Sequence, residues 1–273
     1  MKTFNEKVAL VTGGGTGIGR ATALDFAAKG AAVVVADVNA EEGKTTVDLI
    51  KEQGGQALFI KTDVSIPEHC KNMVAKAIET FGGLDYACNN AGIEGVMAPT
   101  ADVSVEDWQR VIDVNLSGVF YSMKYEIPEM LKAGGGAIVN MASILGQVGF
   151  AGAAAYTSAK HGLVGLTKVA ALEYSAAGIR VNAVCPAFIA TPMLERAGLL
   201  SNKKLLTALE NLHPIGRLGK PEEIAKAVTF LCSPDASFIT GESLLVDGAY
   251  VAGSILRVET AEEAQAEPEL QPA

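Results

Sequence analysis

A chain of 273 residues, 49% of them hydrophobic, suits one large α/β domain or two small ones and can bury a sizeable core. Its formal net charge of −9 argues against nucleic acid or an anionic membrane surface as a main partner, and more weakly against an acidic carrier protein. The longest apolar runs, such as 31–36, fall far short of the roughly 20 residues a bilayer span needs, and the opening MKTFNEKVAL has no long apolar core of a signal peptide.

In chain order, short apolar runs at 8–11, 32–36, 57–60, 84–88, 137–141, 181–185 and 243–246 read as seven buried strands bounded by Gly, Asp or Pro. Amphipathic stretches lie between them. One runs from 19 to 29 and stops at Gly30; another runs from 40 to 53 and stops at Gly54-Gly55. Pro67 and Pro221 sit where helices would begin. This alternation predicts an α/β fold, a doubly wound seven-stranded parallel sheet with helices on both faces. Residues 1–253 read as one domain without a linker or repeat. Residues 193–212 are helical but outside the alternation, either a lid or a packed surface helix pair. Residues 254–273 are acidic and aliphatic-poor and read as a disordered tail. Cys70, Cys88, Cys185 and Cys232 form no C-x-x-C pair and read as reduced, mostly buried thiols of a cytoplasmic protein, with no metal role.

The segment Thr12-Gly13-Gly14-Gly15-Thr16-Gly17-Ile18-Gly19 joins the first strand to the first helix. Glycines there allow a tight turn and a close approach of a pyrophosphate to free N–H groups at the positive end of the helix. Alone, a glycine-rich turn is weak; the strand–loop–helix context strengthens it. Asp37 ends the second strand, near the distance at which an acid reads the adenosine ribose. A 2′-phosphate at about 4 Å from it meets a repulsion on the order of 4 kcal/mol at an effective dielectric of about 20. No Lys or Arg precedes Gly17 in the loop, and Arg20 reads at least as well as an ordinary first-turn residue, so NAD is favoured over NADP.

Tyr156-Thr157-Ser158-Ala159-Lys160 opens a long helical stretch, and the spacing of four puts both side chains on one face. Bringing a tyrosine from its reference pKa of about 10 to near 7 requires favouring the phenolate by roughly 4 kcal/mol. A nearby ammonium and a positive nicotinamide ring would supply this. By itself Y-x-x-x-K is common. Ser143 and Asn89-Asn90-Ala91-Gly92 also end strands at the carboxyl edge of the sheet, where ligands bind in this architecture.

With these motifs together, the chain resembles the short-chain dehydrogenases/reductases of the single-domain, roughly 250-residue Rossmann type. The resemblance runs over about residues 5–250 and rests on Thr12-Gly13-x-x-x-Gly17-x-Gly19, Asp63-Val64, Asn89-Asn90-Ala91-Gly92, Asn115, Ser143, Tyr156-x-x-x-Lys160, and Pro186 followed by Ile189 and Thr191. It implies four catalytic positions. Tyr156 exchanges a proton with the substrate oxygen, Ser143 hydrogen-bonds that oxygen, Lys160 holds the nicotinamide ribose and lowers the tyrosine pKa, and Asn115 supports a water. Gly13, Thr16, Gly17, Ile18, Gly19, Asp37, Asp63, Val64, Asn90, Ala91, Gly92, Pro186, Ile189 and Thr191 would contact the cofactor, with Asp63 and Val64 at the adenine and Ile189 and Thr191 at the carboxamide. A homotetramer is implied as well. Ala187 and Ala249 depart from the usual glycines, and neither is catalytic.

The candidate substrate wall is apolar, made of Ile93, Leu145, Phe150, Phe188, Met193 and Leu194. It predicts a secondary alcohol or ketone with an apolar, cyclic or aromatic body. Alternatives are a 3-oxoacyl-thioester reductase and a non-catalytic dinucleotide sensor. His69, His161 and His213 have no ligand-like spacing, and Trp108 reads as packing. Glu94 reads as a solvated loop acid before a contact to a polar substrate, and Arg196 stands further along the lid.

Overall fold

The computed structural model describes residues 3–253; the expectation of a disordered tail falls on 254–273, outside the described residues. In chain order the elements are β1 (Val8–Thr12), α1 (Gly17–Ala28), β2 (Ala32–Asp37), α2 (Ala40–Glu52), β3 (Ala57–Lys61), α3 (Pro67–Phe81), β4 (Tyr86–Asn89), α4 (Val105–Ile112), α5 (Gly118–Lys132), β5 (Gly136–Met141), α6 (Ala154–Tyr174), β6 (Ile179–Pro186), α7 (Pro192–Arg196), α8 (Lys203–Asn211), α9 (Pro221–Cys232) and β7 (Ser243–Val246). The strands form one parallel sheet in the order β3-β2-β1-β4-β5-β6-β7. The order reverses at β1, so a crevice opens where the carboxyl ends of β1 and β4 diverge.

Helices cover both faces, which is why the central strands are apolar without alternation. Met73, Val119, Met123, Ile127, Met130 and Leu163 from α3, α5 and α6 fill one side. Phe26, Val47, Ile50, Ile224, Val228 and Leu231 from α1, α2 and α9 fill the other. Each fully buried side chain of this size contributes about 1.5–3 kcal/mol. Local signals set the helix ends. Asn39 caps α2 by accepting from the Glu41 and Glu42 amides, Pro67 and Pro221 occupy first turns, and Gly82 ends α3 at φ 83°. All four cysteines are buried and unpaired.

The stretch 193–212 holds two helices, α7 and α8, separated by a turn after Arg196 and restarted by Asn202, whose side chain accepts from the Lys204 and Leu205 amides. One feature differs from the sequence expectation. Between α4 and α5 the helix widens into a π turn over Asp113–Ser117, which holds Asn115 fully buried. Such turns recur at functional sites.

Beneath β4 lies a buried polar cluster. Asn89 donates its amide to Glu126 Oε2 (3.0 Å) and Asn140 Oδ1 (3.1 Å), and Asn140 donates to Thr167 (3.0 Å). Glu126 Oε1 and Asn89 Oδ1 have no partner among the described residues, so the neutral acid carries the donor the cluster lacks. Burial pushes the Glu126 carboxyl up to about 7, against a smaller lowering by the Asn89 bond. The native state therefore holds this proton more tightly than the unfolded chain. Stability is full below about pH 4.5 and falls as pH rises to about 7, by up to about 3 kcal/mol. Glu126→Gln should flatten this window and raise Tm at pH 8, as thermal unfolding from pH 4.5 to 8 will show. A lower Tm at pH 8 would contradict the neutral-acid assignment.

Candidate active site

The glycine loop is shaped for close approach. Gly13 and Gly17 take left-handed conformations, at φ 61° and 52°. A Cβ on Gly13 would stand 2.9 Å from Ala91 Cα, and one on Gly17 would stand 3.3 Å from Thr191 Cγ2. Thr16 leads into α1 in extended conformation without capping the helix by its side chain, leaving the first-turn N–H groups to an external anion. Ile18 turns toward the core, and Gly19 is buried against the Gly13 carbonyl. Across the crevice, Thr12 Oγ1 accepts from the Asn90 and Ala91 amides (3.0 and 3.1 Å), while the Asn90 side chain donates to the Thr12 and Gly13 carbonyls (3.0 and 3.1 Å). These bonds staple β1 to β4 and hold the cradle open. The cradle, which a single added methyl would fill, fits a dinucleotide pyrophosphate.

Asp37 closes the far side. Its carboxylate accepts from the Gly15 and Asn39 amides, both at 2.8 Å. Glu42 reaches the same corner, with its Cβ 3.0 Å from where a Gly15 Cβ would lie. Arg20 is committed to Glu42 (2.6 Å) and Thr46 (3.0 Å). Two acids and a spent guanidinium thus surround the ribose corner. Asp63 Oδ1 accepts from the Ser65 amide and hydroxyl, its N–H donates to His69 Nδ1 (3.2 Å), and Val64 is buried against Gly118.

Ser143, Tyr156 and Lys160 converge at the carboxyl ends of β5 and β6. Ser143 leaves β5 in extended conformation and accepts the Leu145 amide at Oγ (3.1 Å), and its hydroxyl lies close enough to the Tyr156 phenol to favour the phenolate. Lys160, one turn along α6, donates to the Met141 carbonyl (2.7 Å), with its ammonium 5.4 Å from the Tyr156 ring centre. Burial pushes Tyr156 up to about 12; the nearby Ser143 hydroxyl opposes this, and the charge of Glu94 adds to the rise. Burial also lowers the Lys160 ammonium, to about 8. Gly92 sits between the functional groups, and a Cβ there would lie 3.1 Å from Asn115 Oδ1 and 3.8 Å from Lys160 Nζ. The Asn115 side chain accepts from Ile93 N (2.8 Å) and donates to Ile93 O (2.9 Å). It thus pins the Ile93 wall.

Ile93 packs beside Tyr156, and Phe150 meets Phe188 edge-on at 6.4 Å. Leu145, Met193 and Leu194 are half-buried, the last two in α7. Pro186 ends β6 against Val246 and starts the loop that carries Phe188, Ile189 and Thr191. Ile189 turns its side chain into the core, and its backbone bridges to Gly219. Sequence reasoning missed His213 and Tyr250. Their rings lie 5.9 and 6.1 Å from Phe188 and 5.6 Å from each other. It also missed Glu42 and Thr12's double acceptance. Only the extra acid near Asp37 carried a readable signal.

A family model described as enoyl-(acyl carrier protein) reductase matches residues 13–250. The chain is 52% identical over 252 residues to cyclohexanol dehydrogenase of Acinetobacter sp. (strain SE19), a match covering 91% of this chain and 96% of that one. It is 45% identical over 253 residues to 2,5-dichloro-2,5-cyclohexadiene-1,4-diol dehydrogenase of Sphingobium indicum, covering 92% of this chain and 100% of that one. Among solved structures, levodione reductase superposes with a TM-score of 0.89 at 36% identity, covering 92% of this chain and 100% of that one. The family match spans the glycine loop from Gly13, the Ser143–Tyr156–Lys160 group, and α7 and α8.

Proposed function

The chain belongs to the short-chain dehydrogenase/reductase family, and we propose that it is an NAD-dependent dehydrogenase oxidising a secondary alcohol with an apolar, alicyclic body to its ketone. The observation that carries this reading is the convergence of Tyr156, the buried Lys160 with its ammonium 5.4 Å from the Tyr156 ring, and Ser143, at the mouth of the dinucleotide cradle. Its relatives named for cyclohexanol and a cyclohexadienediol support the substrate class.

When bound, the oxidised nicotinamide supplies a hydride acceptor and a positive charge. Tyr156 takes the hydroxyl proton, Ser143 holds the substrate oxygen against the phenol, and Lys160 stabilises the phenolate by charge. The Asn115 clamp on Ile93 holds that wall in place, and we assign Asn115 to the support of a proton-relay water on the family resemblance alone. Gly13, Thr16, Gly17, Ile18, Gly19, Asn90, Ala91 and Gly92 would hold the dinucleotide phosphates and riboses, Asp63 and Val64 the adenine, and the Pro186–Thr191 loop the carboxamide. We assign the protein to the cytoplasm as a homotetramer, with exposed Val105, Trp108 and Phe120 on α4 and α5 supporting an interface there.

The NAD preference rests on Asp37, whose carboxylate would meet a 2′-phosphate with like charge, and on Arg20, whose guanidinium is already paired with Glu42. Asp37→Ala should raise the ratio of kcat/KM with NADP to that with NAD by about tenfold. A wild type that already prefers NADP would overturn the cofactor assignment.

A second reading, reduction of a 3-oxoacyl thioester, is favoured by the description of the family model. Rates of NAD reduction with 1-phenylethanol, cyclohexanol, glucose and 3-hydroxybutyrate test the first reading. The highest kcat/KM should fall on cyclohexanol or 1-phenylethanol. A maximum on the sugar or the hydroxy acid removes the apolar-pocket argument and brings Glu94 and Arg196 into the site.

A further inference from the structure

The structure assigns His213 the role of positioning the substrate wall, by fastening Phe188 to the end of α8; this rests on the alcohol-dehydrogenase reading. His213 is 2% exposed, although it follows a surface helix. One ring nitrogen, Nδ1, lies 2.8 Å from the Leu209 carbonyl in the last turn of α8. The other, Nε2, lies 3.4 Å from the Phe188 amide. A carbonyl can only accept and an amide N–H can only donate. Both contacts are therefore satisfied by a single state, the neutral imidazole with its proton on Nδ1.

Phe188 is held from both sides, since its carbonyl accepts from Gly219 N (3.0 Å). Its ring stands against His213, Tyr250 and Phe150, at 5.9, 6.1 and 6.4 Å. Three residues further along, Thr191 lies over Gly17 of the glycine loop. The His213 contact thus sets where an apolar ring can rest relative to Ser143 and Tyr156, without touching the reacting atoms. A phenylalanine at 213 keeps the ring packing but strands a buried N–H. A glutamine places an acceptor oxygen near the position of Nε2.

The test uses the full chain. Without cofactor, amide hydrogen exchange at Phe188 should speed up by about tenfold or more in His213→Phe and stay within about threefold of wild type in His213→Gln. In the same His213→Phe variant, KM for cyclohexanol should rise by about tenfold, and the preference for cyclohexanol over 2-butanol should shrink similarly, while kcat and NADH affinity change less than about threefold. Glutamine should restore both. Should the phenylalanine variant not fold, 15N NMR of wild type decides: a protonated Nδ1 and bare Nε2 support the tether, and the opposite tautomer overturns it. Unchanged Phe188 exchange in His213→Phe also overturns it, as does failure of glutamine to rescue. If wild type oxidises neither alcohol, the functional reading falls, and exchange together with the tautomer still decides the tether.

Discussion

Replacing Tyr156 by Phe should lower kcat by about 10²–10⁴-fold, the usual contribution of a positioned acid/base, while NADH affinity stays within about twofold. The substitution removes one oxygen and leaves the ring, which packs with Ile93 against Val111, Ala155 and Ala159. The Ser143 hydroxyl favours the phenolate of that oxygen, and the Lys160 ammonium lies 5.4 Å from the ring centre. Burial has already raised Tyr156 to about 12, so the protein must restore the phenolate by charge, and the variant leaves that charge with nothing to act on. Retention of more than a tenth of wild-type kcat would sink the assignment of Tyr156 as the proton acceptor.

Gly19→Ala should be the most damaging change in the cofactor cradle. In an ordinary helix interior this substitution is favourable by about 1 kcal/mol. Here the added Cβ would overlap the Gly13 carbonyl and come within 2.6 Å of Asn90 Nδ2, the donor that staples the loop to β4. Backbone cannot yield as a flexible side chain does, so overpacking of about 1–3 kcal/mol outweighs the propensity gain. The expected result is a fall in Tm of up to roughly 8 °C and a rise of about tenfold or more in the NADH dissociation constant. Calorimetry and NADH fluorescence titration will measure both. Unchanged affinity would mean that α1 tolerates a wider turn than the contacts allow.

The same residues show what a sequence can and cannot reveal. β7 was legible to the residue, because Ser243 and the apolar run Leu244–Val246 are bounded by Gly241 before and Asp247-Gly248 after. β4 was read two residues early at its start: Leu84 is buried, but Asp85 breaks the apolar run and spends its carboxylate on Lys7 and Val8 N. Apolarity reports burial, whereas ladder pairing is decided by the neighbouring strand. Ser143, Tyr156 and Lys160 were legible because helix period and strand ends bring them to one edge. His213, Tyr250 and Glu126 were not, since each gains its role only from residues distant in sequence. The π turn around Asn115 left no readable trace, because Asp113–Ser117 contains neither Gly nor Pro. The break between α7 and α8 was legible in Gly198 and the capping Asn202.

The central claim, an NAD-dependent alcohol dehydrogenase rather than a thioester reductase, is tested most directly by one pair of steady-state measurements on the same enzyme. These are kcat/KM for cyclohexanol with NAD and kcat/KM for an acetoacetyl thioester with NADPH. Asp37, Glu42 and the apolar wall lead to a cyclohexanol value higher by about tenfold or more. A higher value for the thioester with NADPH would contradict both the cofactor and the substrate assignments at once.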